Sequence, residues 1–141
     1  MIVSIKQDLI TILNYAALSA APLEACGLLL GEITDQVSVA DCIITDNVTL
    51  GDKTQNFEID PAVHLKLQRE SRVGCRQILG VWHSHPNGMA NLSEADKQQS
   101  VEQGWLWLIT AVGLTVPETV AFIASSTDCH TFSKASLSVS L

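Results

Sequence analysis

Cationic side chains are scarce in this chain. Eight Lys and Arg stand against fifteen Asp and Glu, for a net charge of -7. Nucleic-acid binding rests on Lys and Arg contacts to phosphate, so this balance argues against a nucleic-acid partner while remaining compatible with a basic protein surface. Long apolar runs are missing too. The longest mostly apolar stretch, WLWLITAVGL from Trp105 to Leu114, is too short to cross a bilayer. The opening MIVSIKQDLITILNYAALSA spreads its charged and polar groups throughout, without the basic-then-apolar order of a signal peptide. A cytoplasmic protein with no membrane association is the expectation. Cys26, Cys42, Cys75 and Cys129 form no C-x-x-C pair, which excludes a zinc knuckle and leaves four buried small apolar residues. No G-x-G-x-x-G, P-loop or H-E-x-x-H occurs, nor the H-x-E and P-C-x-x-C pair of the zinc deaminases.

What is present is enough apolar material for a core. Hydrophobic residues make up 47% of 141 and charged residues 16%, which reads as one globular domain over residues 1–141. Ile5, Leu9, Ile12, Leu13 and Ala16 fall at helical spacing, so a helix is expected from about Val3 to Ala20, ahead of Pro22. EACGLLLG and VSVADCII read as strands, and NVTLGDKTQNFEID as a surface loop. Asp60 followed by Pro61 is a helix start, and that helix is expected to end at a left-handed Gly74. QILGVW, apolar on both faces, reads as an interior strand, followed by a polar helix from Ser93 to about Gln103, stopped by Gly104. WLWLITAV, TVAFIAS and ASLSVSL supply further strands, the last with Leu137, Val139 and Leu141 on one face. The order predicts an α/β fold, a mixed sheet with helices on its faces.

Chemistry concentrates in HSHPNGMANLSEAD, residues 83 to 96. Two of the chain's four histidines, His83 and His85, stand one residue apart at the end of the QILGVW strand. Residues two apart in an extended chain point to one side, and Pro86 disfavours helical geometry at His85. Two imidazoles aimed at one point suit zinc or a similar borderline ion. Asp96, one helical turn after Ser93, shares a face with it and can supply a third ligand, with water as the fourth. Taken alone, Ser93-x-x-Asp96 reads as a helix cap, and capping would position the same helix that bears the ligand. Glu24 alone reads as a surface carboxylate at a strand start. His64 and His130 read as structural or exposed, and Trp82, Trp105 and Trp107 as core.

His83-x-His85, seven residues, Ser93, two residues and Asp96 resemble the JAMM (MPN-plus) metalloprotease motif. PLEACGLLLG resembles the setting of that family's upstream glutamate, making Glu24 the match, and FEIDP and GVWHSHP are similar to family members as well. One departure is Leu92, where many relatives carry proline. The resemblance implies a cytidine-deaminase-like fold with one zinc, held by His83, His85 and Asp96. Glu24 would be the general base and Ser93 the oxyanion donor. Zinc brings the pKa of its water to roughly 7, which suits hydrolysis at neutral pH. It further implies cleavage after the Gly-Gly tail of a ubiquitin-like protein, with that tail and its conjugates as partners, the tail lying as an added strand on a sheet edge. A compact, stand-alone form of the domain is implied. Two alternatives stay open: a metallo-amidase for short peptides or cell-wall fragments, and a non-catalytic scaffold. Cys26, two residues after Glu24, reads as a packed, inert thiol, with a redox-sensitive thiol near the site as the alternative.

Overall fold

The computed structural model describes residues 1–74, 76–113 and 116–141. Its elements run β1 (Ile2–Lys6), α1 (Gln7–Ala20), β2 (Cys26–Ile33), β3 (Val37–Thr45), α2 (Pro61–Ser71), β4 (Gln77–His85), α3 (Glu94–Gln99), β5 (Leu106–Ala111), β6 (Glu118–Ala124) and β7 (Phe132–Ser140). All seven strands form one mixed sheet in the order β1-β3-β2-β4-β5-β6-β7. The ring closes because β1 also pairs in parallel with β7, from Ile2–Ser136 to Lys6–Ser140. The α/β expectation holds. Among the described residues every strand pairs with a neighbour on each side over at least part of its length.

Alternation along the strands divides the core into two clusters. Leu29, Leu79, Trp82, Leu106 and Leu108 face inward, where Leu9, Leu13 and Ala17 of α1 fill the curl of the sheet. Leu28, Val81 and Trp107 face outward, under Phe57 and Leu67. Trp82 satisfies its buried indole N–H by donating to Thr110 Oγ1 at 2.9 Å. At Gly80 a Cβ would stand 1.8 Å from the carbonyl oxygen of Leu106, so only glycine lets β4 and β5 approach here.

Several local expectations need correction. The helix expected from Val3 begins at Gln7, because Ile2–Lys6 pair as a strand with β3 and β7. Its buried stripe is Leu9, Leu13 and Ala17, whereas Ile12 is exposed. α2 starts as expected, with Asp60 Oδ1 accepting the Ala62 N–H at 2.9 Å, but it ends at Ser71 and Gly74 is not left-handed. α3 stops at Gln99, where Ser100 turns extended, four residues before the left-handed Gly104. Cys26 and Cys42 are buried, Cys129 is only partly so, and Cys75 lies outside the described residues. Among the described residues no helix is long and apolar enough to cross a membrane.

Candidate metal centre and cleft

β4 is an interior strand, paired to β2 on one side and β5 on the other, and it remains extended to His85. The alternation that turns Trp82 inward therefore turns both His83 and His85 to the outer face. His83 is fully buried. Its ring stacks on Phe57 at a centroid distance of 4.4 Å and an interplanar angle of 18°, and meets the edge of Trp107 at 5.7 Å. The His85 Nδ1 lies 2.8 Å from the carbonyl oxygen of Met89. A carbonyl only accepts, so Nδ1 carries the proton and Nε2 is left with a free lone pair.

α3 supplies the carboxylate. Ser93 caps it reciprocally: Ser93 Oγ accepts the Asp96 N–H at 3.0 Å, while Asp96 Oδ2 accepts the Ser93 N–H at 3.0 Å. That same Oδ2 sits 3.2 Å from His83 Nε2 and 3.0 Å from His85 Nε2, and the two Nε2 atoms are 2.9 Å apart. Three donor atoms thus face one buried point. A tetrahedral ion with bonds of about 2.0–2.1 Å would set them roughly 3.3 Å apart, so the donor set and its spacing fit zinc with a small expansion. Burial pulls His83 below the usual histidine range despite Asp96, keeping it neutral as a ligand must be. For His85, burial is outweighed by the Asp96 carboxylate and the Met89 carbonyl, and its pKa rises. Asp96 is held well below the carboxylate range in spite of burial, by both imidazoles and the Ser93 N–H.

Glu24 stands just before β2. Its N–H donates to the Lys53 carbonyl at 2.7 Å, and its own carbonyl accepts from Asn47 Nδ2 at 3.1 Å. The side chain is 5% exposed and its Oε1 is buried with no hydrogen-bond partner among the described residues. Burial, aided by the charge of Asp96 and partly countered by His85, pushes its carboxyl up to about 8. A cleft of about 690 Å³ is lined by Glu24, His85 and Ser93 together with Pro22, Thr54 and Met89. All five motif residues are therefore brought together: Glu24, His85 and Ser93 on the cleft wall, His83 and Asp96 directly behind it.

Cys26 does not join them. Its sulfur packs 3.7 Å from Thr45 Oγ1 and 3.8 Å from the Asp46 carbonyl, and burial raises the thiol to about 11. A thiol held protonated is a poor nucleophile, which favours the packed, inert reading. Trp82 and Trp107 are core as expected, and Trp105 is partly buried beside His64. His130 is exposed but engaged, its Nδ1–H donating to the Lys97 carbonyl at 2.7 Å. Sequence reading missed Phe57, the Met89 carbonyl and Asn47. FEIDP and NGMAN stand out in the chain, but only folding brings Phe57 onto His83.

The sequence profile of a family described as prokaryotic homologs of the JAB domain matches residues 6–129. No curated protein sequence matches. Among solved structures, a protein from Desulfitobacterium hafniense superposes with a TM-score of 0.83 at 24% identity, covering 99% of this chain and 93% of its own. A protein from Salinibacter ruber gives 0.68 at 24% identity, covering 97% and 90%. A JAB1/MPN domain protein from Archaeoglobus fulgidus gives 0.60 at 19% identity, covering 100% and 97%.

Proposed function

The chain belongs to the family of prokaryotic JAB-domain homologs, and from that premise we propose that it is a zinc-dependent isopeptidase or peptidase. It would hydrolyse the amide bond after the C-terminal Gly-Gly of a ubiquitin-like protein. What carries the reading is the convergence of His83 Nε2, His85 Nε2 and Asp96 Oδ2 within 3.2 Å of one another behind a cleft that also exposes Glu24 and Ser93. Those three atoms would hold the ion. Zinc there supplies a Lewis acid that polarises a carbonyl and acidifies water at neutral pH.

The chain's own residues divide the remaining work. Glu24 carries a buried carboxyl that holds its proton tightly in the metal-free protein. Beside the charge of a bound ion it would favour its ionised form, which can take a proton from the attacking water and pass it to the leaving amine. Ser93 Oγ already accepts the Asp96 N–H, which leaves its hydroxyl proton free to donate to the oxyanion. The Met89 carbonyl fixes the His85 tautomer. Phe57 and Trp107 exclude water from the far side of His83.

The test is intact-mass spectrometry of a ubiquitin-like protein ending in Gly-Gly, carrying a short C-terminal extension and incubated with wild type or Glu24→Ala. Wild type is expected to remove the extension after Gly-Gly, and Glu24→Ala to bind one zinc without cleaving. Cleavage by Glu24→Ala at the wild-type rate would overturn its role as base. Zinc binding without cleavage by wild type would move the assignment to another amide, such as a short peptide or cell-wall fragment, or to a scaffold.

A further inference from the structure

The segment between β3 and α2 has no helix or strand of its own, and its ends are joined by an isolated bridge between Asn47 and Ile59. At that neck the Asn47 amide uses all its hydrogen-bonding capacity. Nδ2 donates to the carbonyls of Glu24 (3.1 Å) and Asn56 (2.9 Å), and Oδ1 accepts the N–H groups of Thr49 (3.2 Å) and Glu58 (3.0 Å). Two donors and two acceptors are saturated, all by backbone. The loop so closed reaches the site three ways. The Lys53 carbonyl accepts the Glu24 N–H, Phe57 stacks on His83, and Thr54 and Gln55 line the cleft.

We propose that Asn47 is a positioning residue: through this one amide it locks the 48–57 loop to the backbone of Glu24 and so fixes where the carboxylate stands relative to the three donor atoms. The inference rests on the reading of Glu24 as base. Glu24 precedes β2, so its aim is set by the two hydrogen bonds its backbone makes, to Asn47 and to Lys53 of the loop Asn47 closes. Only a carboxamide serves. Aspartate would keep the two acceptors but turn an oxygen on two carbonyls, and alanine would leave all four backbone groups without this partner.

The test follows the Glu24 amide by hydrogen exchange, alongside zinc stoichiometry and turnover. In Asn47→Ala the Glu24 amide is expected to exchange at least about tenfold faster while the His83 and Ser84 amides of β4 hold their protection. One zinc still binds, and kcat falls on the order of 100-fold, the size expected when a reacting group is misplaced by an ångström. Asn47→Asp should loosen Glu24 at least as much. Unchanged protection of Glu24 in Asn47→Ala overturns the proposal. If that variant does not fold, wild type decides: the Glu24 and Glu58 amides should open as one unit, with protection factors within about threefold of each other. A difference of tenfold or more overturns the proposal. Because exchange needs no substrate, a loosened Glu24 amide beside a wild-type enzyme that cleaves nothing would sink the isopeptidase reading and leave the brace standing.

Discussion

Ser93 puts different parts of one hydroxyl to two tasks. Its oxygen caps α3 by accepting the Asp96 N–H, and its proton remains free for the cleft. Ser93→Ala removes both, costing about 1 kcal/mol of stability through the cap and about 100-fold in rate through the lost donor. Ser93→Gly separates them, because glycine caps nearly as well, so stability should return while turnover stays low. Thermal melts and kcat on both variants check this. A glycine variant with wild-type turnover would leave Ser93 as a cap alone. At this scale much was legible. His83, His85, Ser93 and Asp96 are close in the chain, and a strand followed by a short helix converts their spacing into proximity. Glu24 came only through family resemblance, because nothing local distinguishes it from a surface carboxylate. Phe57 stood out only as part of FEIDP and Asn47 not at all, since their contacts are made through space to β4 and to the segment before β2.

Among the elements, α3 is capped by Ser93 and bears Asp96 on its first turn, yet spans six residues, too few to hold helical shape unaided. Its far end is tied from outside. The His130 Nδ1–H donates to the Lys97 carbonyl, the Cys129 thiol lies 3.3 Å from the Ser100 carbonyl, and the Gln99 side-chain amide donates to the Phe57 carbonyl. His130→Ala should therefore weaken zinc binding about tenfold without unfolding the sheet, as loss of outer support to a ligand does. His130→Asn, which can offer an amide donor near the same place, should recover most of it. Competition with a chromophoric chelator reads both, and an unaltered affinity in His130→Ala would assign the hold on α3 to its other ties. The same element shows where local reading falls short. Ser93 to Gln103 is polar apart from Ala95 and Val101 and holds no glycine or proline, so its composition sets no sharp boundary, and tertiary ties end the helix at Gln99. At the amino-terminal end, Ile2, Val3 and Ile5 suit a strand, but Ile5 also fits the helical spacing of Leu9 and Leu13. Pairing with β7 at the other end of the chain settled it.

For the molecule as a whole, the carboxyl of Glu24 links stability to pH. Its pKa in the folded, metal-free protein rises from 4.5 to about 8, so the folded state holds that proton more tightly than the unfolded chain. Stability from this group is complete below about 4.5 and is lost as pH rises through about 8. Denaturation across that range should show metal-free wild type losing stability relative to Glu24→Gln, which carries no titrating group there. The loss is at most roughly 5 kcal/mol, at about 1.36 kcal/mol per pKa unit, and less to the extent that water in the cleft screens the carboxylate. Zinc beside the carboxylate favours its charged form, so loading the protein should flatten the difference. Zinc at 100 times its Kd should also raise Tm by roughly 10 °C. Parallel pH trends in metal-free wild type and Glu24→Gln would refute the linkage.

The ring of strands carries a consequence in time. β1 cannot take its place between β3 and β7 until the last strand has been made, so while the chain is being synthesised the sheet stands open along that seam. β2, β4 and α3, which carry or support the three candidate metal-binding residues, all precede β5 and can assemble earlier. What waits is the second partner of β1. Val3 and Ile5 can pair with β3 beforehand, but their pairing with β7 joins segments far apart in the chain, and such contacts form slowly. The nine residues from Phe132 to Ser140 thus act as a clasp, and a nascent chain held short of them would present a chaperone with an almost finished domain whose seam is still open.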